Sequence, residues 1–120
     1  MANFDVMCET VDGIPVLRVK GYYEKPAGQK IIEHAEALCQ TGKTVLVLDF
    51  SVCEVLSSPG VATIVELAAD LADNYGGSLI ICGLDRLKEK VLMLVGMQTM
   101  ARICASLSDA LQAARTAMSR

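Results

Sequence analysis

Apolar positions along the chain recur at two periods, and the changes between them mark out the elements. Phe4, Val6 and Cys8 lie on one side of a segment whose other side carries Asp5 and Met7. That period of two predicts a half-buried strand. Asp12-Gly13 follows, a dipeptide suited to a tight hairpin turn. A second strand is then expected over Ile14 to Lys20, with Pro15 near its start, where a missing N–H is tolerated. Gly21-Tyr22-Tyr23-Glu24-Lys25-Pro26 reads as a connector, with Gly21 supplying an unusual backbone angle at the strand's end. The period then becomes helical. Ile31, Ala35 and Leu38 form one stripe of a helix from Ala27 to Cys39, and Gly42 closes it.

Val45 to Leu48 is apolar without alternation, so it predicts a central strand buried on both faces. A loop containing Asp49, Ser51 and Glu54 leads to Ser57-Ser58-Pro59-Gly60. Val61, Ile64, Val65, Ala68 and Leu71 then define a helix that Gly76-Gly77 ends. Pro59 suits the first helical position and pushes its predecessor towards extended geometry, which makes Ser58 the expected N-cap. Ser78 to Cys82 is another buried strand. Asp85 is placed to cap a helix reaching Val95, with Leu87, Val91, Leu94 and Val95 inward and Lys88, Glu89 and Lys90 outward. After Gly96 come a short strand over Arg102 to Ala105 and a last helix, capped by Ser106 or Ser108. Its apolar face comprises Leu107, Leu111, Ala114 and Met118.

Strand–helix–strand units imply parallel pairing through right-handed crossovers, and only the opening hairpin need be antiparallel. The expected fold is α/β: a mixed, mostly parallel sheet of four to five strands with about four helices. A length of 120 residues suits one domain. Hydrophobic content of 52% with 21% charged residues marks a packed chain rather than a disordered one.

Composition and charge exclude several functions. Net charge is −3 and no Lys/Arg cluster occurs, so nothing favours binding to a phosphate backbone. With 4% aromatic residues, no platform for stacking bases is expected either. No apolar run approaches the ~18 residues of a membrane span. Met1 to Glu9 carries Asp5 and Glu9 and lacks the basic-then-apolar pattern of a leader. Five cysteines, dispersed and never in a Cys-x-x-Cys pair, read as reduced, small buried residues of a cytoplasmic protein. His34 has no second His or Cys at ligand spacing and reads as a surface residue, so no metal or cofactor is expected.

An enzyme is not expected. Gly-x-Ser-x-Gly and phosphate-loop patterns are absent, and Asp49 with Glu54 makes no acid–base constellation. What remains is a pair of serines at a helix start after a central strand. Free N–H groups and the helix dipole favour an anion there, so a hydroxyl at that place suits phosphorylation.

Several motifs in order carry a family resemblance. Leu46-Val47-Leu48-Asp49-Phe50-Ser51 leading to Leu56-Ser57-Ser58-Pro59-Gly60 resembles the strand, loop and switch motif of the STAS domain, the sulfate-transporter and anti-sigma-factor-antagonist module. Gly76-Gly77-x-Leu79, Cys82-Gly83-Leu84 to Val95-Gly96-Met97, and Ser106-Leu107-Ser108-Asp109-Ala110-Leu111 are similar to further family segments at the usual spacing. The likeness covers nearly the whole chain.

The resemblance implies a bacterial anti-sigma factor antagonist. Such a protein binds an anti-sigma factor serine kinase, is released when that kinase phosphorylates it, and is reset by a phosphatase. Carried over by position, Ser58 is the phosphoacceptor. Ser57 stands where the family usually has Asp, and Pro59 where it has a small Ser or Ala, which makes Ser57 a second candidate acceptor. Ser57, Ser58, Pro59 and Gly60, with Gly21, Tyr22 and Tyr23 from the neighbouring connector, form the expected partner-binding loop. The alternative is a STAS scaffold that acts by dimerisation or assembly without phosphorylation; the sequence leaves a homodimer open.

Overall fold

The chain's computed structural model describes residues 3–119. Met1 and Ala2, part of the stretch read as lacking a leader, lie outside the described residues. Strands β1 (Phe4–Val11) and β2 (Ile14–Tyr23) form an antiparallel hairpin in which Val11 faces Ile14 and Phe4 faces Gly21. Asp12 and Gly13 both take positive φ, 52° and 79°, the backbone that a two-residue turn needs to match the strand twist.

Helix α1 (Lys25–Gln40) then leads to β3 (Val45–Asp49), β4 (Cys53–Leu56), α2 (Ser58–Tyr75) and β5 (Ser78–Cys82). Helix α3 (Arg86–Leu94), a single 3-10 turn, β6 (Arg102–Ile103) and α4 (Leu107–Met118) complete the order. The sheet runs β1-β2-β3-β5-β6, with β4 pairing to β2 beyond the end of β3. Every pairing other than the hairpin is parallel. Two cores sandwich the sheet. Helices α1, α2 and α3 cover one face, around Leu17, Ile31, Leu48, Ile64, Ile81 and Leu92. Ala110 and Ala114 of α4 lie on the other, against Ile14, Val16, Val47 and Ile80.

The α/β class and the opening hairpin are as expected. The sheet has six strands, because the segment read as a loop with Glu54 contains β4. Gly21, Tyr22 and Tyr23 are likewise strand and not connector: β2 continues through them to pair with β4, with a register shift between Gly21 and Tyr22. Four residues with few neighbours in sequence leave no periodicity to read. Pairing with a strand thirty residues away supplies the order instead. Helix α1 begins earlier than expected, taking Pro26 into its first turn, where the absent N–H costs no bond.

The orientation of α3 departs from the expectation in part: Val91 packs against the core and Glu89 and Lys90 face outward as expected, but Leu87, Leu94, Val95 and Lys88 do not follow. Leu87 and Leu94 are 72% and 78% exposed, whereas Leu92 is fully buried and Lys88 nearly so. Lys88 tucks its stem inward and returns its ammonium to Asp85, the N-cap. A stripe of apolar residues says which side chains share a face; it does not say that anything covers it. Smaller departures have local causes. Cys8 is exposed because only the Phe4–Val6 end of β1 packs against the core beneath α1. In α4, Ser106 is the cap and accepts from the Asp109 N–H, while Met118 in the last turn is exposed.

Candidate functional site

The end of β2, the end of β4 and the start of α2 meet at one corner of the molecule. Tyr23 is the keystone. Its side chain is fully buried, with its ring centroid 5.3 Å from that of Phe50. Its carbonyl accepts the Ser57 N–H at 3.1 Å, and the Ser57 hydroxyl lies 3.4 Å from the same oxygen. Burial raises the Tyr23 phenol well above its usual range, opposed in part by its 3.4 Å hydrogen bond with Thr63. Thr63 also donates to the Gly60 carbonyl at 2.6 Å.

The helix cap falls on Ser57, not on Ser58 as expected. Ser57 is extended (φ −89°, ψ 163°), its Oγ accepts the Gly60 N–H at 3.2 Å, and its carbonyl accepts the Val61 N–H at 2.9 Å. A Ser58 cap would need the Val61 N–H for its hydroxyl, and that donor already closes the first helical turn. Pro59 therefore occupies the second helical position, still among those without an intrahelical N–H bond. Gly60 allows the close approach: a Cβ there would meet the Tyr23 carbonyl and stand 2.9 Å from its ring.

Ser58 is left exposed in the first turn of α2, and among the described residues its hydroxyl has no hydrogen-bond partner. Beside it, Tyr22 of β2 faces Val55 of β4, each 39% exposed. The tyrosine pair thus divides its duties, Tyr23 beneath the loop and Tyr22 outside it. Gly21, at φ 88°, donates its N–H to the Val52 carbonyl, and a Cβ there would collide with the backbone of Asn3. It shapes the β2–β4 junction without touching Ser58.

Asp49 is the residue whose role the sequence reading missed. It is 3% exposed; one oxygen accepts the Ser51 N–H at 2.9 Å and the other the Arg18 Nε–H at 2.9 Å. Arg18 also pairs with Glu9 at 3.2 Å. Asp49 thereby fixes the turn that carries the chain from β3 into β4. Its spacing to Ser51, two residues on, was the signal for such a turn. Glu54 is exposed and forms no pair with it. Cys82 lies nearby; burial first, and the Asp49 charge second, push its thiol up to about 12. His34 is half-buried in α1, and no group of three potential metal ligands occurs among the described residues.

The family model for the STAS domain matches residues 5–110. This chain belongs to the STAS domain family. No curated protein sequence matches it. An anti-sigma factor antagonist from Mycobacterium paratuberculosis has a similar fold, with TM-score 0.79 at 22% identity over 93% of this chain and 94% of that one. An RsbS variant from Moorella thermoacetica superposes with TM-score 0.77 at 19% identity, covering 96% and 98% of the two chains. The phosphorylated form of SpoIIAA, a Bacillus cell fate determinant, gives TM-score 0.70 at 19% identity over 90% and 97%. The STAS chain therefore shares the fold of anti-sigma factor antagonists over nearly its full length. Among the described residues, none of its helices is long and apolar enough to cross a membrane.

Proposed function

We propose that this STAS domain is a non-enzymatic protein-interaction module switched by phosphorylation of Ser58, with an anti-sigma factor serine kinase as its partner and a phosphatase as its reset. The observation that carries the reading is the exposed, unbonded Ser58 hydroxyl in the first turn of α2, beside the outward Tyr22–Val55 pair. Ser57 is the poorer acceptor, since its oxygen holds the cap and its modification would give up a bond worth about 1 kcal/mol.

The switch acts through the interface. A phosphoserine adds roughly −1.5 to −2 charge. Two features limit its local stabilisation: Pro59 offers no N–H, and that of Gly60 is taken by Ser57. The dipole alone contributes about 0.3–1 kcal/mol. Across a docked surface, a like charge costs several kcal/mol, and 1.4 kcal/mol is already tenfold in affinity. Release without unfolding follows.

The test is incubation with ATP and the anti-sigma factor kinases of the same organism, followed by intact-mass and peptide analysis. One phosphate, mapped to Ser58, is expected. Binding that persists with no phosphate would replace this reading with the unphosphorylated adaptor, which the proline at position 59 favours by removing a phosphate-facing donor.

A further inference from the structure

Two unpartnered surfaces lie on the helical layer. The first is the outer face of α3. Leu87 and Leu94 are 72% and 78% exposed, with Val95 at 48%. Arg86 and Lys90 flank this stripe one turn apart, in a chain whose net charge is −3. The second is a groove between α1 and α2, lined by Ile32 and Glu36 from one helix and Glu66, Asp70 and Tyr75 from the other. At about 240 Å³ it is below the roughly 300–1,000 Å³ of small-molecule pockets, yet open to side chains.

The carboxylates crowd there: the Cys39 thiol is raised by burial first, then by Asp70 and Glu36. Among the described residues, none of the ion pairs involves Glu36, Glu66, Asp70, Arg86 or Lys90. One surface is thus apolar with a cationic row, the other a mainly polar, acidic groove that also holds Ile32 and Tyr75. Arg86 and Lys90 repeat at i, i+4, as do Glu66 and Asp70, so the rows share a spacing of about 5–6 Å.

We propose that α3 of one molecule docks head to tail into the acidic α1–α2 groove of a second copy of this chain. Leu87 and Leu94 meet Ile32 and Tyr75, while Arg86 and Lys90 meet the carboxylates. A symmetric α3–α3 contact is disfavoured. The midpoint of an antiparallel Arg86–Leu94 pair falls at Lys90, which would set two ammonium groups against each other. An anionic bilayer is opposed by the net charge of −3. Because head and tail differ, the contact propagates into chains or rings instead of closing as a two-fold dimer. A nine-residue helix buries less than the ~1,200–2,000 Å² of a standard interface, so the association is weak and concentration-dependent.

Sedimentation equilibrium across a concentration series tests this. The wild-type weight-average mass is expected to rise beyond that of a dimer and to fall back with added salt. Leu87→Ser with Leu94→Ser removes the head, and Glu66→Lys with Asp70→Lys removes the tail. Leu87, Leu94 and Glu66 are exposed, Asp70 is half-buried and accepts from the Asn74 side chain, and circular dichroism checks the fold. Each double variant alone should remain monomeric, whereas their equimolar mixture should form a dimer and stop, since it retains one intact head and one intact tail. A monomeric wild type would overturn the proposal and leave α3 to another protein or a lipid surface. So would a mixture that stays monomeric, or an association indifferent to Glu66 and Asp70.

Discussion

At the α2 start, neighbouring serines do different work because only one of them is bonded. Ser57→Ala removes the oxygen that receives the Gly60 N–H; a loss of about 1 kcal/mol is expected in urea denaturation. Ser58→Ala should leave the denaturation midpoint within about 0.5 kcal/mol of wild type, as surface changes do. Finding the larger loss at Ser58 would contradict the cap assignment. Ser58→Glu places a fixed charge at the same corner. On the functional reading, titration calorimetry with the partner kinase should show affinity at least about tenfold weaker; unchanged affinity would remove the switch. Gly60 tolerates no side chain at all, since Tyr23 occupies the space. The residue type at position 60 follows from packing and not from backbone freedom, because Gly60 sits in a helix.

For the elements, the informative case is α3. Leu92→Ala empties a fully buried site and should cost about 2–5 kcal/mol. Leu94→Ala in the same helix, at 78% exposure, should change stability by less than about 0.5 kcal/mol. Equal losses in thermal melts would show that α3 turns its other face inward. The β3–β4 turn has the opposite character, with little apolar pattern and one decisive carboxylate. Asp49→Ala leaves the Ser51 N–H and the Arg18 guanidinium without their acceptor. The expected cost is about 1–3 kcal/mol, with faster amide exchange in β4 as its local signature.

The molecule as a whole responds to alkali through groups that folding keeps protonated. Burial raises both the Tyr23 phenol and the Cys82 thiol, the latter from 9.0 to about 12. Over that interval the unfolded chain gives up a proton that the folded chain retains. Stability is then full below about pH 9 and declines as pH rises towards about 12. Urea midpoints measured on either side of pH 9 should show the decline, and Cys82→Ala should flatten part of it. A level profile would mean that neither group is sealed from water.

Much of this architecture is legible along the chain. The buried runs Val45–Leu48 and Ser78–Cys82, the Asp12-Gly13 turn and the helices ended by Gly42, Gly76 and Gly96 all carry their signal within a few residues of sequence. Hydrophobic period and turn chemistry are sufficient for them. The serine pair was legible too, as a helix start. Tertiary structure decided what depends on partners far apart in sequence. It made Gly21–Tyr23 strand through pairing with Cys53–Leu56, assigned Tyr23 to the core and Tyr22 to the surface, and gave the cap to Ser57 through the Tyr23 carbonyl. It also turned the Leu87–Leu94 stripe outward. Periodicity defines a face within one helix; only the neighbours that fold brings, or does not bring, against that face determine whether water is excluded from it.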